Sequence, residues 1–162
     1  MQFVLLSAFV AVIAIVDQIT KVLVVQNIAL FERVDAIPGL FSLTYVENTG
    51  AAWSSFQGAR WMFVALFVVL TVLLLWEYFK KPMPFTAFER WCLAAVYGGG
   101  LGNIIDRVFQ GAVVDMIRLD FMEFPIFNVA DCFITCGCIA LAVSLAFFNK
   151  EFWKDEKKAK DE

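Results

Sequence analysis

Apolar residues fall into four long runs, roughly Phe3 to Val25, Trp61 to Phe79, Trp91 to Val108 and Val129 to Phe148. Each approaches the ~20 residues that a helix needs to cross a bilayer. Polar positions gather between these runs and beyond the last one. Between the first two runs, Phe41, Ser42, Leu43, Thr44 and Tyr45 alternate apolar with polar after the Pro38/Gly39 turn, which predicts strand rather than helix. The segment from Gln110 to Asn128 is too short to cross and too apolar for water, with Val113, Val114, Met116, Ile117, Phe121 and Phe124 among its residues. It is expected to lie in the membrane interface. The pattern predicts an all-α membrane protein: four transmembrane helices, a small extracytoplasmic β-sheet and an interfacial outer loop, in one membrane domain over residues 1–162.

Lys80, Lys81 and Arg90 flank the link between the second and third runs, and Lys150, Lys154, Lys157, Lys158 and Lys160 crowd the tail over 150–162. Basic residues mark the cytoplasmic side, so both termini are expected inside and the Gln26–Arg60 and Gln110–Asn128 segments outside. Trp53, Trp61, Trp76, Trp91 and Trp153 fall near the ends of spans, where interfacial tryptophans sit. The first run lacks a basic n-region and a small-residue cleavage site, so it reads as a retained helix and not a leader.

Composition agrees and removes much chemistry. The chain is 61% hydrophobic, against the ~45–50% usual for soluble domains, and has a formal net charge of −3. No basic surface for nucleic acid is implied. It contains 0 histidines, which excludes histidine-based nucleophilic catalysis and HExxH zinc sites. Cys92, Cys132, Cys136 and Cys138 lie inside apolar runs, where cysteine behaves as a small hydrophobe, and their spacing favours neither a metal site nor a disulfide framework. Carboxylates, amides, hydroxyls and amines remain.

Ionised groups within spans are costly, at least ~2.5 kcal/mol for a carboxylate near the bilayer centre, so their positions need a reason. They collect toward the outer edge. Asp17 and Lys21 are four apart, in the order that allows an ion pair on one helix face, and Lys21 is expected to snorkel outward. In YGGGLGNIIDR, Asn103, Asp106 and Arg107 share a face, and the glycines before them permit close helix approach. Asp106 beside Arg107 reads as a local salt bridge. Asp115 in GAVVD and Asp131 in FNVAD stand in apolar surroundings, with Asn128 close to Asp131 at the start of the fourth helix. Desolvation raises such carboxyls and favours a shared proton, although Asp131 also suits an ordinary first-turn acid. In YVENTGAAWS, Asn48 and Gly50 suit a turn, and the Asn48 amide could orient a substrate or a carboxylate.

With DQITK, ENTGAAWS, GGGLGNIIDR, GAVVD and FNVAD standing in this order across four runs, the chain resembles the lipoprotein signal peptidases, bacterial signal peptidase II. The likeness covers nearly the whole chain. It implies an aspartic endopeptidase of the bacterial inner membrane whose catalytic pair is Asp115 and Asp131. By the same resemblance Asn48, Asn103, Arg107 and Asn128 line the site, while Asp17, Lys21 and Asp106 support it. The implied substrate is a diacylglyceryl-modified prolipoprotein cut before its lipidated cysteine, at the outer membrane edge. No metal or organic cofactor is implied, membrane lipid is the other partner, and a monomer is expected. Ala112 and Met116 depart from that family, which often has a histidine and an aromatic residue there, and Cys132 stands where serine is frequent.

Three rival readings differ in their residues. An intramembrane protease of the GxGD type would need an aspartate where Asn103 stands. A serine/lysine peptidase would use Ser54 or Ser55 with Lys21. A small proton-coupled transporter would use Asp17, Asp106 and Asp131 as a relay.

Overall fold

The computed structural model describes residues 1–50, 55–80 and 83–153. In order along the chain come α1 (Gln2–Asn27), β1 (Arg33–Ile37), β2 (Phe41–Asn48), α2 (Arg60–Lys80), α3 (Ala87–Phe109), β3 (Val113–Leu119) and α4 (Val129–Val143). A π-helical turn, Ser144–Phe148, continues α4. Lipid offers the backbone no hydrogen bonds, so apolar runs of this length satisfy themselves as helices. Trp53, Lys81 and the lysines from Lys154 onward, which entered the expected topology, lie outside the described residues, as do Ala51, Ala52 and Ser54.

Four long helices form among the described residues, close to the predicted bounds. Among the described residues three are long and apolar enough to cross a membrane: Gln2–Asn27, Arg60–Lys80 and Val129–Phe148. The third predicted span, α3, has 23 residues but carries Glu89 and Arg90 near one end and Asp106 and Arg107 near the other. It starts four residues before the expected Trp91, because Thr86 and Glu89 form a capping box. This polar helix packs against α1, α2 and α4 and forms the axis of the bundle. Apolar side chains such as Leu66 and Val72 point outward, as a lipid-facing surface requires.

Glycine makes that packing close. A β-carbon on Gly102 would lie 2.5 Å from Asp17 Oδ2. One on Gly99 would run into the Ala130 carbonyl of α4. Both neighbours therefore approach α3 at distances that a side chain would forbid.

The three strands form an antiparallel sheet in the order β1-β2-β3. Val34 faces Leu43 across the first pair, and Val46 faces Asp115 across the second, with a register shift between Leu43 and Val46. Val114 and Met116 of β3 pack on Val24 and Ile28 from the end of α1, which seats the sheet on the bundle. The alternation over Phe41–Tyr45 marks β2, whereas β3 forms within the segment expected to be an interfacial loop. Val113, Val114, Asp115 and Met116 are all buried, so the strand shows no alternation for the sequence to display. Gly111, at φ +84°, makes the turn that separates it from α3.

Candidate functional site

The fourth helix begins with a second capping box. Asn128 Oδ1 accepts from the Asp131 backbone N–H at 3.0 Å, and Asp131 Oδ2 accepts from the Asn128 N–H at 3.1 Å. Asp131 thus caps α4 from its first turn through Oδ2, and its other oxygen is used elsewhere. Asp131 Oδ1 accepts from Asn103 Nδ2 at 2.8 Å.

Strand β3 brings Asp115 to the same place, 3% exposed. Asn128 Nδ2 donates to Asp115 Oδ1 at 2.7 Å, and Asn48 Nδ2 from the end of β2 donates to Oδ2 at 2.9 Å. One asparagine therefore holds both acids, one through its amide and the other through its backbone. Burial pushes the Asp115 carboxyl up to about 6 from its usual 3.8, with the Asn48 hydrogen bond opposing and the nearby Asp131 charge adding to the rise.

Beneath this pair lies a closed ionic layer. Lys21 Nζ contacts Asp17 Oδ2 at 2.7 Å, Asp106 Oδ2 at 2.8 Å and Asn103 Oδ1 at 2.9 Å. Three acceptors match the three protons of an ammonium group. Asp17 Oδ1 accepts from the Ala130 N–H, and Asp106 Oδ2 also accepts from the Val114 N–H, so the layer ties α1 and α3 to α4 and β3. Asn103 joins the two layers, accepting from Lys21 and donating to Asp131.

Two expectations need correction. Lys21 does not snorkel: it is 2% exposed, because two carboxylates from different helices surround it. Asp106 does not pair with Arg107. It turns to Lys21 and Gln18, while Arg107 donates to the Gly50 carbonyl at 2.8 Å and the Asn103 carbonyl at 3.2 Å and lies over the Phe63 ring. Arg107 thereby ties the loop after Asn48 to α3. The Asp17–Lys21 pair forms as expected.

Gln18 escaped the sequence reading. Its Nε2 donates to Asp106 Oδ1 at 2.8 Å and to the Gly102 carbonyl at 3.2 Å. The available signal was an amide inside a lipid-crossing run, a costly placement unless paired. Lys21 is consumed by its three acceptors, which leaves the serine/lysine reading without a base. Ser55 is exposed, and Ser54 lies outside the described residues.

Comparison with known proteins follows the same lines. Residues 9–147 match the family model described as signal peptidase (SPase) II. A lipoprotein signal peptidase of Lactococcus lactis subsp. cremoris (strain MG1363) is 42% identical over 145 residues, covering 87% of this chain and 93% of the relative. One from Streptococcus thermophilus (strain CNRZ 1066) is 43% identical over 149 residues, covering 91% and 92%. A bacterial membrane enzyme solved by the in meso method at 2.3 Å superposes with a TM-score of 0.82 at 28% identity, covering 90% of each chain. With a family model spanning most of its length and relatives above 40% identity, the chain belongs to the signal peptidase II family.

Proposed function

We propose that Asp115 and Asp131 form the catalytic pair of an aspartic endopeptidase. As a signal peptidase II, the protein is a membrane hydrolase that removes the signal peptide from prolipoproteins. The observation that carries the aspartic reading is the shared grip of Asn128 on the two carboxyls, 2.7 Å from Asp115 Oδ1 and 3.1 Å from Asp131 Oδ2. In an aspartic pair of this kind one carboxyl serves as base while the other carries the proton.

Such a pair performs general acid and base catalysis together. The ionised member takes a proton from water, whose oxygen attacks the scissile carbonyl carbon. The protonated member donates a hydrogen bond to the carbonyl oxygen. A tetrahedral intermediate forms, a proton passes to the amide nitrogen, and the carbon–nitrogen bond breaks. Asn48, Asn103 and Asn128 fix the carboxyl oxygens, Arg107 holds the Gly50 loop, and Asp17, Lys21 and Asp106 keep the supporting layer closed. None of these roles calls on a metal or an organic cofactor.

The preferred substrate is a precursor whose cysteine carries diacylglyceryl, cut just before that cysteine. Acyl chains stay in lipid while the peptide bond reaches the outer edge, where polar side chains replace hydrocarbon. Both termini then face the cytoplasm, α3 crosses with the other three helices, and the chain is one membrane domain acting as a monomer without nucleic acid. The transporter reading gains no support, because Asp17 and Asp106 are closed around Lys21 and the relatives are peptidases.

The test is direct. Purified protein in detergent should cleave a diacylglyceryl-modified precursor and leave the unlipidated control intact. Equal cleavage of both would remove the lipid requirement, and cleavage of neither would remove the peptidase assignment.

A further inference from the structure

Above the sheet runs a groove of about 880 Å³ that the catalytic proposal uses only at one end, where Asp115 lines it. Arg33, Glu47, Arg118 and Asp120 line the rest. Its size lies within the range of ligand sites, and its walls mix charged groups with apolar ones such as Leu119, Phe121 and Ile126. One wall group is incomplete. Asp120 Oδ1 accepts from Ser42 Oγ at 3.0 Å and from Arg33 Nη2 at 3.1 Å, whereas Oδ2 is buried with no hydrogen-bond partner among the described residues. A buried carboxylate oxygen without a donor is costly and calls for an explanation, and a donor brought by a bound chain supplies one.

We infer that this groove holds the segment of the precursor that follows the modified cysteine, with Asp120 as a positioning acceptor for that segment. The inference rests on the peptidase reading above and deepens it. A scissile bond beside Asp115 has two sides. The signal peptide is an apolar helix-former that stays in hydrocarbon, and the acyl chains stay there too. Only the mature chain is free to enter a charged groove outside the spans. Once there, a backbone N–H or a side-chain donor within the first few residues completes Asp120, whose position is braced by Arg33 and Ser42. Glu47, Asp115, Asp120 and Glu123 outnumber Arg33 and Arg118 along the groove, a charge balance that favours basic over acidic side chains in the entering segment.

Two diacylglyceryl-modified precursors test this, one extending about six residues past the cysteine, an extended reach of roughly 20 Å, and one ending at the cysteine as an amide. With the unaltered protein, KM should be about tenfold lower for the long precursor, the worth of one charge-assisted hydrogen bond. Asp120→Asn should raise KM for the long precursor toward that of the short one, leave the short one unchanged and hold kcat within about twofold. An equal rise for both precursors would make Asp120 a purely structural residue and overturn the inference. So would equal KM values for the two precursors in the unaltered protein. Cleavage of neither by the unaltered protein would instead sink the peptidase reading. If Asp120→Asn does not fold, Arg118→Glu provides the check: it should strengthen the preference for basic over acidic residues after the cysteine by roughly fivefold. No shift in that preference would overturn the assignment of the groove.

Discussion

Two buried carboxylate clusters stand at opposite ends of α3, and only one has the makings of a catalyst. At one end Glu89, fully buried, accepts from the Thr86 N–H at 2.7 Å, Ser144 Oγ at 2.8 Å and Asn149 Nδ2 at 2.6 Å. A single acid there is surrounded by neutral donors that join the start of α3 to the π-helical turn after α4. At the other end Asp115 and Asp131 share Asn128, and Asp115 borders an open groove. Burial and full hydrogen bonding are common to both ends. A second carboxyl held by the same asparagine and an adjoining groove are found at the Asp115 end, and these are what the proposed catalytic role needs and the Glu89 end lacks.

The sharpest way to break this contrast is to neutralise acids at each end. Asp115→Asn and Asp131→Asn should each lower kcat/KM on a lipidated precursor by about 10⁴-fold, the upper range for loss of acid–base catalysis. Both variants should still give a folded, monodisperse protein in detergent. Near-normal turnover by either would remove that residue from the pair. Next in size comes Lys21→Met, which strands Asp17 and Asp106 without their cation. Breaking a buried ion pair from one side costs about 3–5 kcal/mol, and thermal melting should show it. A variant as stable as the parent would mean that the ionic layer does not hold the bundle.

Glu89→Gln tests the other end with a smaller effect. It keeps the shape but replaces one acceptor oxygen with an amide N–H donor that faces other donors, so a stability loss of about 1–3 kcal/mol is expected with kcat unchanged. A fall in kcat at unchanged stability would link the Glu89 knot to catalysis and erase the distinction.

How far sequence reached depends on the range of each interaction. The helices were legible because lipid forces long apolar runs into self-satisfied backbone: α1 and α2 end within two residues of their predicted bounds, and α4 reaches Phe148 only through its π-helical turn. Asp115, Asp131, Asn48, Asn103 and Asn128 were legible as polar residues in apolar settings, and they converge. Local spacing misled where partners came from afar. Asp106 and Arg107 are adjacent in sequence, yet Asp106 finds Lys21 and Gln18 on α1. Buried β3 offered no alternation to read. The Glu89 knot was signalled by Thr86 and Glu89 at capping-box spacing, but its partners Ser144 and Asn149 are 55 and 60 residues away.

The smallest expected effect is also the most specific to the outer end. Burial holds the Asp115 carboxyl at about 6, above its ordinary 3.8, so the fold favours the protonated form. Below the ordinary value both folded and unfolded chains carry the proton and there is no penalty. As pH rises from there through 6 the unfolded chain loses its proton first, and stability falls until the folded group ionises as well. The full penalty, about 1–3 kcal/mol, is present above 6. Asparagine at 115 cannot ionise, although its amide would meet the Asn48 and Asn128 donors at a cost that does not vary with pH. The stability of Asp115→Asn relative to the parent should therefore improve between pH 4 and pH 7, whatever its absolute value. The same titration should appear in catalysis as a fall in kcat/KM above about pH 6, where the Asp115 carboxyl ionises. A flat stability difference across that range would return Asp115 to an ordinary surface value and leave burial at the two ends of α3 without a chemical distinction.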